Sequence, residues 1–100
     1  MTLPLFKQFP QLQGKLPHLP LGNFPTPLQY LQKWKHHHLW IKRDDISGNL
    51  HGGNKVRKLE FALASTTPAN WLCSAGAQGS NWCVALALYA KQLGHKTELL

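Results

Sequence analysis

The sequence predicts an α/β fold with a parallel β-sheet. Three observations carry this prediction: short apolar runs that suit buried strands, an amphipathic helical stretch after a glycine-rich turn, and the alternation of the two along the chain. Strand, loop and helix follow one another twice before a last strand begins, and this order is typical of parallel sheets because parallel strands need crossover connections. A length of 100 residues allows one small domain.

Residues 1–25 are rich in proline, and we expect an extended arm there because proline interrupts helices and cannot donate to a β-ladder. Residues 26–100 are predicted to form the α/β domain. A short helix is expected at its start, from about Thr26 to Lys35. Pro27 suits the first turn of a helix, and Thr26 can act as the N-cap.

The stretch "LWIKRDD" (Leu39–Asp45) predicts a strand that ends in polar residues, with Asp44 and Asp45 as charge partners and turn-formers. Three histidines, His36–His38, come just before it. Adjacent histidines point in different directions on a regular element, and no matching cysteines or carboxylates lie nearby in the sequence. A solvated linker or a helix end is therefore favoured over a metal site.

A helix is predicted from Lys55 to about Ser65, directly after the glycine-rich turn "ISGNLHGGN". Val56, Leu59 and Leu63 recur at spacings of three and four residues. This periodicity places them on one apolar stripe, which we expect to face the core.

The rest of the chain predicts a strand, a helix and a further strand. Trp71–Ser74 is a short apolar run of the kind found in buried parallel strands. After the glycine-rich turn "AGAQGSN", Ser80 and Asn81 are good N-cap residues. Val84–Leu93 is apolar nearly all round, so we expect a buried helix. Residues 97–100 then begin another strand.

The net charge is +7, from 11 lysines and arginines against 4 acidic residues. The basic residues are scattered, and no RNP, zinc-finger or helix-turn-helix pattern is present, so a solvated basic face is favoured over nucleic-acid binding. Cys73 and Cys83 form no CxxC pair, which favours free thiols in a reducing, cytoplasmic setting. No signal peptide is recognisable, and no apolar run has the length of a membrane span.

Three functional groups are expected to meet at the two glycine-rich turns. Parallel α/β proteins bind ligands beyond the carboxyl ends of their strands, and both turns follow a strand and open a helix. The Lys55 amine, the Ser80 hydroxyl and the Asn81 amide would then face one crevice. An amine attacks aldehydes and a helix N-terminus holds anions, which suits pyridoxal-phosphate chemistry on an amino acid.

Other interpretations of these turns remain open from the residues alone. Neither turn matches a nucleotide-binding fingerprint, because the spacings GxxxxGK[ST] and GxGxxG are both absent. The alternative is that the glycines only form turns and Lys55 is a surface cation.

The stretch "IKRDDISGNLHGGNKVRKLEFALA" resembles the 1-aminocyclopropane-1-carboxylate deaminase / D-cysteine desulfhydrase family of pyridoxal-phosphate enzymes. That family has the tryptophan synthase β-like fold. The stretch "SAGAQGSNW" is similar to its second motif, a glycine-rich turn that ends in Ser-Asn. The resemblance covers about residues 22–100. It implies that pyridoxal 5'-phosphate is the cofactor and that Lys55 binds it covalently.

The resemblance also implies roles for the neighbouring residues. Lys55 and Ser80 would be catalytic, and Asn81 would hydrogen-bond the cofactor ring. Asn54 either contacts the cofactor or caps the helix, and the sequence leaves both open. Ser80, Asn81 and Trp82 would contact the substrate. Trp82 stands where the family commonly has Gln or His, so its contribution would come from the backbone N–H. No metal is implied.

The implied reaction acts on a small amino acid of the 1-aminocyclopropane-1-carboxylate or D-cysteine class and releases ammonia and a keto acid. Family members are often homodimers, and their cofactor phosphate is held by a later loop. We therefore expect an N-terminal portion with an incomplete sheet, active when completed by further chain. The alternatives are a catalytically inactive truncated remnant and a basic binding module.

Overall fold

The computed structural model describes residues 2–67 and 70–100. Within this part of the chain, two two-stranded sheets accompany three α-helices. The elements in chain order are α1 (Pro4–Gln8), β1 (Leu28–Trp34), β2 (His37–Lys42), α2 (Lys55–Ala62), β3 (Trp71–Ser74), α3 (Asn81–Gln92) and β4 (Lys96–Leu99). Short 3₁₀ turns span Pro10–Leu12 and Asp44–Ile46.

The C-terminal half is a strand–helix–strand unit with parallel strands. β3 pairs with β4, and their register runs from Trp71 opposite Lys96 to Ser74 opposite Leu99. α3 makes the crossover between them, as parallel pairing requires. The predicted α/β class with parallel strands is confirmed, and both predicted strands lie where the sequence indicates.

The region after Thr26 is a β-strand, so the helix predicted there is wrong. β1 pairs with β2 in an antiparallel hairpin, and Lys35 turns the chain with a φ of 54°. Tyr30 lies opposite Trp40, and their rings pack edge to face with centroids 5.2 Å apart. Such cross-strand aromatic pairs stabilise hairpins. A proline at a helix start and one just before a strand look alike locally, and here pairing with the following strand, β2, decides the structure.

The predicted strand at Leu39–Asp45 is present as β2, but it belongs to the hairpin and not to the parallel sheet. β2 begins at His37, so two of the three adjacent histidines are exposed strand residues and His36 lies in the turn. The expectation of a linker or helix end is wrong in this respect. Across residues 2–67 and 70–100, no group of three or more His, Cys, Asp or Glu side chains is arranged to hold a metal ion.

The core lies between α2 and α3. Val56 and Leu59 are fully buried and Leu63 is nearly so, which confirms the predicted apolar stripe. These side chains pack against α3 residues Ala85, Leu86, Tyr89 and Ala90. Removal of these groups from water is the main favourable term in the stability of a small domain. α2 ends at Ala62, slightly before the predicted end at Ser65.

α3 is buried on one side only. Ser80 caps it as predicted, because its hydroxyl accepts a hydrogen bond from the backbone N–H of Cys83 at 3.3 Å. Val84 and Leu88 stay 43% and 38% exposed, so the expectation of burial all round is wrong. The described elements cover the opposite face of the helix. No helix in the described part of the chain is long and apolar enough to cross a membrane.

The N-terminal arm is not wholly extended as predicted. Pro4 stands in the first turn of α1, where its missing N–H costs no helical hydrogen bond. Further along, the arm is held by the buried carboxylate of Glu60 on α2, which is only 4% exposed. This carboxylate accepts hydrogen bonds from the backbone N–H groups of Leu21 and Gly22 at 2.9 and 3.0 Å, and from the His18 ring at 2.9 Å.

The arm contacts predict a specific stability loss. Glu60→Ala removes the acceptor of two partly buried N–H groups, which should lower the free energy of unfolding by roughly 1–3 kcal/mol. Glu60→Gln keeps one acceptor oxygen and should lose less. The matched control is Glu98→Ala on exposed β4, with a change within about 0.5 kcal/mol. Urea unfolding measures all three, and equal losses for Glu60→Ala and Glu98→Ala would contradict the anchoring role.

Candidate functional site

Two glycines shape the turn that presents Lys55 at the start of α2. Gly53 has a φ of 97°, a conformation that residues with a side chain rarely adopt. At Gly52 an added β-carbon would overlap the carbonyl oxygen of Asp45. The chain therefore passes tightly over the carboxyl end of the β2 segment and enters the helix with Lys55 as its first residue.

Lys55, Asn54 and Asn81 lie on the wall of the same open cavity, which has a volume of about 310 Å³. Asn81 is the first residue of α3 and Lys55 the first of α2, so the two helix starts face this cavity together. The lining consists of Asp45, His51, Gly52, Gly53, Asn54, Lys55 and Asn81. The convergence expected from the two glycine-rich turns is thus present for an amine and two amides.

Ser80 and Trp82 stand outside this lining. The Ser80 hydroxyl is engaged as the cap of α3, and the indole N–H of Trp82 donates to the Ser74 hydroxyl at 2.9 Å. The half-buried Trp82 also packs against the core. The side chain of Trp82 is thus used for packing on β3, and the substrate contacts predicted for Ser80 and Trp82 stay predictions.

A buried tyrosine connects the cavity wall to the core. The Tyr89 hydroxyl donates to the carbonyl oxygen of His51 at 2.9 Å, and the residue is only 1% exposed. A β-carbon at Gly48 would overlap this hydroxyl, so the loop lies directly against it. The position of the loop before Lys55 is therefore fixed by the packing of α3.

An ion pair closes the turn from the other side. The Arg57 guanidinium donates to both oxygens of Asp44 at 2.8 and 2.9 Å, and the Thr26 hydroxyl donates to Asp44 at 2.6 Å. These hydrogen bonds, from Arg57 first and Thr26 second, lower the pKa of Asp44 from 3.8 to about 2. The carbonyl oxygen of Asp44 also accepts from the N–H of Gly53 at 2.6 Å.

Asp45 is paired as well, with the guanidinium of Arg43. Two parallel hydrogen bonds of 2.8 Å join them, and this pairing lowers the pKa of the Asp45 carboxyl. Both aspartates therefore act as the charge partners that the sequence suggests, and both lie in the 3₁₀ turn after β2. Thr26 supports this turn instead of capping a helix.

Two residues of this region were not predicted from the sequence: His51 on the cavity wall and Tyr89 behind it. Asp45 was predicted only as a charge partner and turn-former. A usable signal existed for Tyr89, because a tyrosine within a buried apolar helix needs a partner for its hydroxyl. No local pattern identifies that partner. His51 carried no pattern of its own beyond its place beside the two glycines.

The fold and the cavity together define an α/β protein in which a lysine amine and asparagine amides converge at two helix starts. The sequence matches the family of pyridoxal-phosphate dependent enzymes over residues 19–100. The chain belongs to this family, and it has part of the tryptophan synthase β-like fold of that family.

Among curated proteins, the chain is similar to D-cysteine desulfhydrase from Salmonella paratyphi B and to D-cysteine desulfhydrase from Salmonella newport. Each is 41% identical over 85 residues, which cover 80% of this chain and 26% of the relative. The chain thus spans about a quarter of the length of these relatives. No solved structure matches it.

The donor groups on the cavity wall fit the cofactor of this family. A primary amine is the group that condenses with the cofactor aldehyde, and an asparagine amide can donate to a ring oxygen. The space beside Gly53 is open, since no atom outside the adjoining residues lies within 4 Å of where its β-carbon would be. A flat ring can therefore approach the turn next to Lys55.

The lowered pKa of Asp44 predicts a loss of stability in acid. Its contribution is fully present above about pH 4 and is lost as the pH falls toward 2, because the carboxyl has a pKa of 3.8 in the unfolded chain and about 2 when folded. Asp44→Asn should lower the free energy of unfolding at pH 6 by on the order of 1 kcal/mol and remove part of its decline in acid.

Urea unfolding at pH 6, 4 and 2.5 measures this dependence. Glu98→Gln is the control, because Glu98 is exposed on β4 and should leave the profile unchanged. An Asp44→Asn profile parallel to that of the original chain would refute the assignment.

Proposed function

We propose that the chain supplies the cofactor-binding lysine and the first part of the active site of a pyridoxal-phosphate-dependent desulfhydrase or deaminase. The substrate would be a small amino acid of the D-cysteine or 1-aminocyclopropane-1-carboxylate class, and the products ammonia and a keto acid. The observation that carries this proposal is the shared cavity of Lys55 and Asn81. The 41% identity to D-cysteine desulfhydrases supports the first substrate class.

Residues of the cavity wall would have separate roles in binding the cofactor. Lys55, which is positioned by the Gly52-Gly53 turn, would hold the cofactor through its nitrogen. The Asn81 amide would donate a hydrogen bond to the cofactor, and Asn54 lies on the same wall. Bound pyridoxal phosphate supplies an electron sink for the α-carbon of the substrate.

Ser80 and Asn81 are proposed to contact the substrate, with Trp82 contributing its backbone N–H. The Ser80 oxygen accepts from the Cys83 N–H, which leaves the hydroxyl proton available for a substrate carboxylate. The N-terminus of α3 also favours an anion at this place. Ser80 would then act as a donor to the substrate.

The surroundings suit an amino-acid substrate. The net charge of +7 favours the approach of a carboxylate, and Lys58 is an exposed cation one turn along α2 from Lys55. We also propose that the enzyme is a homodimer and that the chain divides into an arm (1–25) and a catalytic domain (26–100). Its free cysteines favour a cytoplasmic location.

The test is the capture of pyridoxal 5'-phosphate by the purified chain. Mixing should give a saturable absorbance change from condensation of the aldehyde with an amine, at one cofactor per chain. Lys55→Ala should abolish it, because the variant lacks the nucleophile.

Lys58→Ala is the matched control, since it removes an exposed lysine from the same helix and should keep the signal. The same absorbance change in Lys55→Ala as in the original chain would show that the cofactor reacts with other lysines. That outcome would sink the assignment.

A further inference from the structure

His51 and Lys55 line the same cavity. His51 is half-buried, and its carbonyl oxygen is engaged by Tyr89. No described residue is hydrogen-bonded to its ring, so the two ring nitrogens are available to a molecule in the cavity. A cavity of about 310 Å³ is small enough that groups on its wall can reach one bound small molecule together.

The backbone holds His51 in place before any ligand arrives. The Tyr89 hydrogen bond pins its carbonyl, and Gly48 and Gly52 on either side allow contacts that any β-carbon would block. Groups that are fixed in advance lose little entropy when they act. Among the described titratable side chains of the cavity wall, Asp45 is paired with Arg43, and the other two are His51 and Lys55.

Condensation of an amine with an aldehyde requires proton movement. The Lys55 nitrogen forms a bond to the aldehyde carbon, and both protons of the neutral amine finally reside on the aldehyde oxygen, which leaves as water. A side chain that accepts a proton from nitrogen and returns it to oxygen accelerates this exchange. Imidazole is suited to the task because it gains and loses protons near neutral pH.

We propose that His51 is the proton-transfer residue for cofactor capture by Lys55. It takes a proton from the Lys55 nitrogen as the C–N bond forms, and it delivers a proton to the departing oxygen. This inference rests on the proposed function, and it concerns the rate of capture and not the affinity.

The rate and the affinity can be separated in one experiment. The purified 100-residue chain is mixed with pyridoxal 5'-phosphate, and the absorbance change is followed by stopped flow. His51→Gln should slow capture roughly 100-fold, a loss typical for removal of a general acid–base group. The dissociation constant should stay unchanged, because a proton-transfer group accelerates formation and reversal equally. His37→Gln, on the exposed hairpin, is the control and should behave like the original chain.

A second variant keeps the inference testable if the glutamine disturbs the loop. In His51→Ala, added imidazole should restore the rate of capture, while the original chain should not respond to it. A purely structural role for His51 would weaken the dissociation constant and give no rescue, and that result would overturn the inference, as would an unchanged rate in His51→Gln.

Failure of the proposed function gives a different result. In that case the original chain itself develops no absorbance change that depends on Lys55, and the role of His51 falls with it. If the Lys55-dependent change is normal and His51→Gln matches it in rate, only the role of His51 is refuted.

Discussion

The packing of α2 against α3 is the contact on which the rest of the structure depends. Leu59 and Val56 on one helix and Tyr89 on the other are the largest fully buried apolar side chains, and their burial fixes the two helices side by side. Because Lys55 and Asn81 each begin one of these helices, the same packing brings their side chains to one cavity. Core formation and site formation are therefore one event in this chain.

The eight residues of α2 contact several different parts of the protein. Val56 and Leu59 face the core, Arg57 pairs with Asp44, and Glu60 holds the N-terminal arm. Lys55 at the helix start faces the cavity. The 3.6-residue period of the helix distributes these side chains around its axis, so that the core, the ion pair, the arm and the cavity are each reached from one short stretch.

Local patterns sufficed for some elements and failed for others. The stripe of Val56, Leu59 and Leu63 and the cap of α3 follow from short-range spacing, and the parallel strands follow from the alternation of elements. The hairpin was not predicted, because Thr26 and Pro27 also suit a helix start and only pairing with β2 distinguishes the two. The hydrogen bonds of Glu60 with Leu21 and of Tyr89 with His51 join residues 39 and 38 positions apart. Sequence periodicity predicts only contacts between residues a few positions apart, so it cannot predict these pairs.

The turn before Lys55 is held from both ends, so substitutions in this region fall into two kinds. Tyr89 fixes the loop through the carbonyl of His51, and Asp44 fixes it through the N–H of Gly53 while its side chain binds Arg57. A change at Tyr89 or Asp44 alters the frame and hence both stability and the placement of the amine. A change at Lys55 or His51 removes a side-chain group facing the cavity and leaves these backbone contacts intact. The chemistry can therefore be changed through Lys55 and His51 with these contacts kept, whereas a change in the contacts affects stability and chemistry together.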